Sequence, residues 1–150
     1  MPEAVPAATP PVAAPRVVLD TNVLYAGLYS STGKSYQVLR AIAEGRLRIV
    51  LSTPLLFEYE DVLKRNQAVL GLTDAAVDAV LDGLCALADF QVVYFLWRPC
   101  LPDAKDDMVL ELAVAAQVGR IASFNAKDFR PAAQFGIDIV SPKTLLESLP

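Results

Sequence analysis

From residue 16 onward, short runs of Val, Ile and Leu alternate with longer stretches whose apolar residues recur at helical spacing. That alternation is the strongest constraint on the fold. "RVVLD" (16–20) is apolar on both faces, as central parallel strands are. "SYQVLRAIAEG" (35–45) predicts a helix with Val38, Leu39, Ile42 and Ala43 on one side and Gly45 at its stop. "LRIVLS" (47–52) predicts a second strand. "STPLLFEYEDVLKR" (52–65) follows as a helix, with Ser52 or Thr53 as N-cap, Pro54 in its first turn, and Leu55, Leu56, Tyr59, Val62 and Leu63 as its apolar stripe.

The pattern then repeats. "TDAAVDAVLDGLCALA" reads as a helix capped by Thr73, "FQVVYFL" as a strand, "DDMVLELAVAAQ" as a helix, and "RIASF" and "IDIV" as strands. "SPKTLLESL" closes the chain as a short helix capped by Ser141. Strand and helix alternating through short connections predict an α/β fold, a three-layer α/β/α sandwich with a mostly parallel central sheet. Residues 16–150 form that domain. Residues 1–15, with five prolines and little but Ala and Val between them, are expected to be a disordered, polyproline-leaning tail. They lack the basic region and apolar core of a signal peptide.

Composition removes whole classes of chemistry. The 150 residues include no histidine, which excludes Ser-His-Asp and Cys-His sites, HExxH zinc sites and proton transfer through imidazole. Hydrolysis here would have to run on carboxylates. A net charge of −4 argues against nucleic-acid binding through a broad basic surface, leaving bound cations and local Lys or Arg residues. Two cysteines are too few for a disulfide framework, so a cytoplasmic location is expected. No apolar run approaches the roughly 20 residues needed to cross a bilayer.

Several acids then stand out by position. Asp20 ends an apolar strand, where open parallel sheets place their ligands, and Asn22 follows two residues later. An Asp there either caps the next turn or binds something. Glu60 and Asp61 have Lys64 and Arg65 four residues on and read as a solvated face. Glu58 has Val62 at that spacing, is expected to have no base nearby, and flanks the stripe, which makes it the better ligand candidate. Asp103, Asp106 and Asp107 crowd one helix entrance, and Asp107 lies four residues from Glu111, a repulsive pair unless a cation intervenes. Asn125 and Asp128 follow the "RIAS" strand. Asp74, Asp78 and Asp82 lie at i, i+4 spacing within one helix and are expected to face solvent. "STGKS" lacks the leading glycine of a phosphate-binding loop, because Leu28 stands at that position.

In order, "DTNVL", "LLFEYEDVL", "DAKDDMVLELAVAA" and "ASFNAKDF" together resemble the PIN-domain nucleases, in particular their bacterial toxin–antitoxin branch (VapC-like). The likeness runs from Arg16 to about Leu149. It implies an endoribonuclease dependent on Mg²⁺ or Mn²⁺, with Asp20, Glu58 and either Asp106 or Asp107 as catalytic metal-binding acids, Asp106 being favoured because it shares a helical face with Leu110 and Ala113. Asn22 would position the first acid or a water. Asn125 stands where many PIN domains carry a fourth acid, with Asp128 close enough to compensate. Implied partners are RNA and a cognate antitoxin protein, with a homodimer left open and no membrane. Two other readings stay open: an inactive protein-interaction module, and a phosphotransfer or phosphatase domain with Asp20 as nucleophile.

Overall fold

The computed structural model describes residues 14–93 and 104–150. Five strands form one sheet in the order β3-β2-β1-β4-β5: β1 (Arg16–Leu19), β2 (Arg48–Leu51), β3 (Asp89–Phe90), β4 (Arg120–Ala122) and β5 (Asp138–Val140). Every neighbouring pair is parallel, with Val17 opposite Ile49 and Leu19 opposite Ala122. The central strands bury both faces, so Val17, Val18, Leu19, Ile49, Val50 and Leu51 are fully enclosed. Their continuous apolar lettering has that cause.

Among the described residues seven α-helices accompany the strands: α1 (Thr21–Tyr29), α2 (Lys34–Ala43), α3 (Thr53–Arg65), the one-turn α4 (Gln67–Leu70), α5 (Asp74–Leu87), α6 (Ala104–Ala115) and α7 (Pro142–Glu147). Right-handed crossovers put α1 to α5 over one face, because β1, β2 and β3 step in one direction. The return from β3 to β4 and on to β5 puts α6 and a 3-10 helix (Ala126–Phe135) over the other. Packing agrees, since α6 contacts β1, β2, β4 and the 3-10 helix. The result is a three-layer α/β/α sandwich.

Local chemistry starts and stops these helices. Ser52, Thr73 and Ser141 each accept a backbone N–H at an N-terminus, from Leu55, Ala76 and Thr144 respectively. Ser52, rather than Thr53, is thus the cap of α3. Beyond α2, Gly45 takes φ +77°, a conformation glycine adopts at little cost, and its N–H bonds Ile42 O at 3.1 Å.

Three elements depart from the sequence reading. The strand expected over 90–96 is only Asp89–Phe90, extended by a Gln91 N–H bond to Leu51 O, and residues 94–96 lie outside the described residues. As an edge strand it pairs on one side only. Helix α1 and the 3-10 helix had no counterpart in that reading. The expected tail likewise lies outside the described residues apart from Ala14 and Pro15, and Pro15 O accepts the Arg48 N–H at 2.9 Å. No helix among the described residues is long and apolar enough to cross a membrane.

The two ends of the sheet differ in charge. At the amino end Asp89 pairs with both Arg16 and Arg48, which neighbour each other in register. The carboxyl end gathers the acids.

Candidate active site at the strand ends

Strands β1 and β4 are neighbours whose outgoing connections cover opposite faces, the switch point at which open parallel sheets place their ligands. Asp20 and Ser123 are the residues that follow these two strands. Asp20 is 7% exposed and its N–H still bonds Ala122 O at 2.9 Å, continuing the ladder. It occupies the N-cap position of α1, yet its side chain makes no capping hydrogen bond. The carboxylate instead accepts the Ser123 hydroxyl at 2.6 Å. Capping does not explain this acid.

Ser123 is a positioning group fixed by its own valence. A hydroxyl has one proton to give and two lone pairs to offer. Ser123 Oγ accepts the Asn125 N–H at 3.0 Å and the Asn22 Nδ2–H at 3.5 Å, which leaves its proton for Asp20. The Asn22 Oδ1 in turn accepts the Phe124 N–H at 3.5 Å. Asn22 thus ties α1 to the loop after β4. Asn125 enters this network through its backbone, and Asp128 follows in the first turn of the 3-10 helix.

Behind Asp20 stands Tyr59 of α3, fully buried, whose hydroxyl donates to Leu19 O at 2.5 Å. Burial, and then the nearby negative charge of Asp20, push its phenol well above the usual tyrosine range. It is a fixed neutral donor. Its neighbour Glu58 is mostly enclosed, and Lys105 Nζ approaches Glu58 Oε1 at 3.7 Å. The expectation that no base lies near Glu58 is therefore corrected. The partner comes from the first turn of α6, beyond the reach of any i, i+4 rule.

Helix α6 packs against both α3 and β1 and carries the remaining acids. Asp107 is 1% exposed and Glu111, one turn on, 4%, whereas Asp106 is partly exposed. Asp103 lies outside the described residues. Beside Glu111 a cavity of about 180 Å³ opens between Ser52–Pro54, Phe90–Val93 and Met108. Glu60 and Asp61 pair with Lys64 and Arg65 on the outer face of α3, and Asp74, Asp78 and Asp82 are exposed.

The donors at this end are carboxylate, hydroxyl and amide oxygens, the set that suits Mg²⁺ or Mn²⁺. Among the described residues no three acidic side chains are grouped tightly enough to hold one ion. Mg²⁺ usually needs only one or two carboxylates and keeps several waters. On its donor chemistry the site fits such an ion.

Three contributors escaped sequence reasoning. Lys105 and Tyr59 gave no signal, because their partners come from other elements. Ser123 did give one. It ends an apolar strand, as Asp20 does. A sequence model of the PIN domain family matches residues 16–127. No curated protein matches the chain.

Proposed function

The chain belongs to the PIN domain family, and from that premise we propose that it is a metal-dependent endoribonuclease acting at the carboxyl ends of β1 and β4. The observation that carries this reading is Asp20: a buried acid at the chain reversal of a parallel sheet, aimed by a serine and not used as a helix cap. Asp20, Glu58 and Asp106 or Asp107 would hold Mg²⁺ or Mn²⁺, one or two of them directly and the rest through its bound waters. When bound, such an ion supplies an activated water and offsets charge on the leaving oxygen. Ser123 sets the direction of the Asp20 carboxylate. Asn22 fixes the loop that carries Ser123. Lys105 offsets the charge of Glu58.

The resemblance to toxin components supports a finer reading: the protein is the toxin of a cytoplasmic toxin–antitoxin pair, and a cognate antitoxin holds it in check. Neighbouring reading frames in the source genome would show whether an antitoxin is encoded.

Purified protein should cleave RNA in Mg²⁺ or Mn²⁺ and stop when EDTA is added. Glu58→Gln should abolish cleavage. Glu60→Gln and Asp61→Asn break only exposed ion pairs and should leave the rate nearly unchanged. Absence of a metal response would sink the nuclease reading, and equal loss in all three variants would remove Glu58 from the site.

A further inference from the structure

Eight large apolar side chains are left exposed among the described residues. Phe57, Phe90, Val92 and Phe124 all lie at the carboxyl end of the sheet, the same end as the acids. Phe124 lies nearest to Asp20 in the hydrogen-bond network. The residue is 54% exposed, yet the backbone on either side is held: Ser123 is buried and bonded to Asp20, the Phe124 N–H bonds Asn22 Oδ1, and the Asn125 N–H bonds Ser123 Oγ. An aromatic ring is thus presented to solvent from a rigid mount, one residue from the serine that aims Asp20.

Charge narrows what such a ring would meet. The protein carries a net −4, and acids crowd this end, so phosphates alone are poorly attracted. Stacking of a nucleobase on an aromatic face does not depend on net charge and tolerates any base. The face of a base is open to a protein ring only where the strand is unpaired. We propose that Phe124 is a base-stacking platform that selects single-stranded RNA and holds a nucleobase beside the phosphate to be cleaved. Lys127, exposed three residues further along the same segment, supplies a local positive charge for the backbone. The proposal rests on the nuclease reading and names the substrate form that site takes.

The test uses full-length protein and a fluorescently labelled RNA oligonucleotide, single-stranded or annealed to its complement. Binding is read by anisotropy in Ca²⁺, and cleavage separately in Mn²⁺. Phe124→Ala should weaken single-strand binding roughly 5- to 100-fold and raise KM with kcat little changed. Phe124→Tyr and Phe124→Trp should restore it, and duplex binding should be weak and indifferent to all three. Phe135→Ala, exposed at the opposite end of the sheet, should bind as the parent does. Should the parent cleave while Phe124→Ala binds single strands equally well, stacking is overturned, the nuclease reading stands, and the ring is left for a protein partner. Single-strand binding through Phe124 without metal-dependent cleavage would have the opposite meaning: stacking holds and the nuclease reading falls. A parent that neither binds single strands nor cleaves RNA with metal overturns both.

Discussion

Tyr59 shows how one side chain can serve both the core and the site. Its ring fills space behind β1, and its hydroxyl satisfies Leu19 O in the strand that delivers Asp20. Because burial and Asp20 both disfavour the phenolate, the folded protein keeps this proton to higher pH than the unfolded chain does. Below about pH 10, the unfolded tyrosine value, both states are protonated and this residue adds no slope. Above it the unfolded chain releases a proton that the folded one retains, so stability falls as pH rises. Tyr59→Phe should therefore flatten the alkaline decline in melting temperature. Near neutrality it should cost about 1–2 kcal/mol, because Leu19 O loses its donor. Parallel alkaline slopes for parent and variant, followed by thermal melts from pH 7 to 11, would show that Tyr59 does not set that decline.

At the scale of elements, α1 and α2 approach each other closely at Gly27. A Cβ built on Gly27 would meet Leu39 Cδ1 at 2.6 Å and Ser35 O at 3.0 Å. Alanine would gain nearly 1 kcal/mol of helix propensity, but the Ser35 carbonyl is backbone and cannot swing aside. Overpacking of that kind costs roughly 1–3 kcal/mol. Gly27→Ala should therefore lower the melting temperature by a few degrees, and a rise would mean the two helices separate easily. The same helix marks the limit of reading from sequence. Helices α2, α3 and α5 were legible because stripes and caps are local, periodic signals. Thr21, Val23, Leu24 and Gly27 of α1 are all buried, and its exposed side is also largely apolar, so no stripe separates it from the strand before it. Site residues divide in the same way. Asp20 and Glu58 were legible as acids out of character with their surroundings. Ser123 finds its partner 103 positions away, and Lys105 reaches Glu58 only because α6 returns over the sheet, pairings set by topology. A local pattern holds no record of them.

The whole molecule sorts its charge by sheet end, and that arrangement sets what folding costs and what a cation can return. Arg16 and Arg48 share the Asp89 carboxylate at the amino end, leaving that cluster net positive. At the carboxyl end Asp20, Asp107 and Glu111 are all enclosed, and Lys105 reaches Glu58. Buried like charges disfavour the ionised fold. Removing one of them isosterically should relieve the molecule, provided its hydrogen bond survives. Asp20→Asn meets that condition, since the amide oxygen can still accept the Ser123 proton. Without metal, Asp20→Asn should melt at or above the parent temperature. On the proposed reading Mn²⁺ would bind the folded state alone, and it should then raise the parent stability by about 2.7 kcal/mol at a hundredfold excess over its dissociation constant. The variant should respond much less. Asp78→Asn breaks only an exposed pair with Lys64, on a helix away from the strand ends, and should keep the full response. If Asp20 stabilised the fold as an ordinary capping acid, its loss would instead cost roughly 0.5–2 kcal/mol and leave the Mn²⁺ shift intact. Thermal melts of the three proteins with and without Mn²⁺ separate the two outcomes, and the second would take Asp20 out of the metal site.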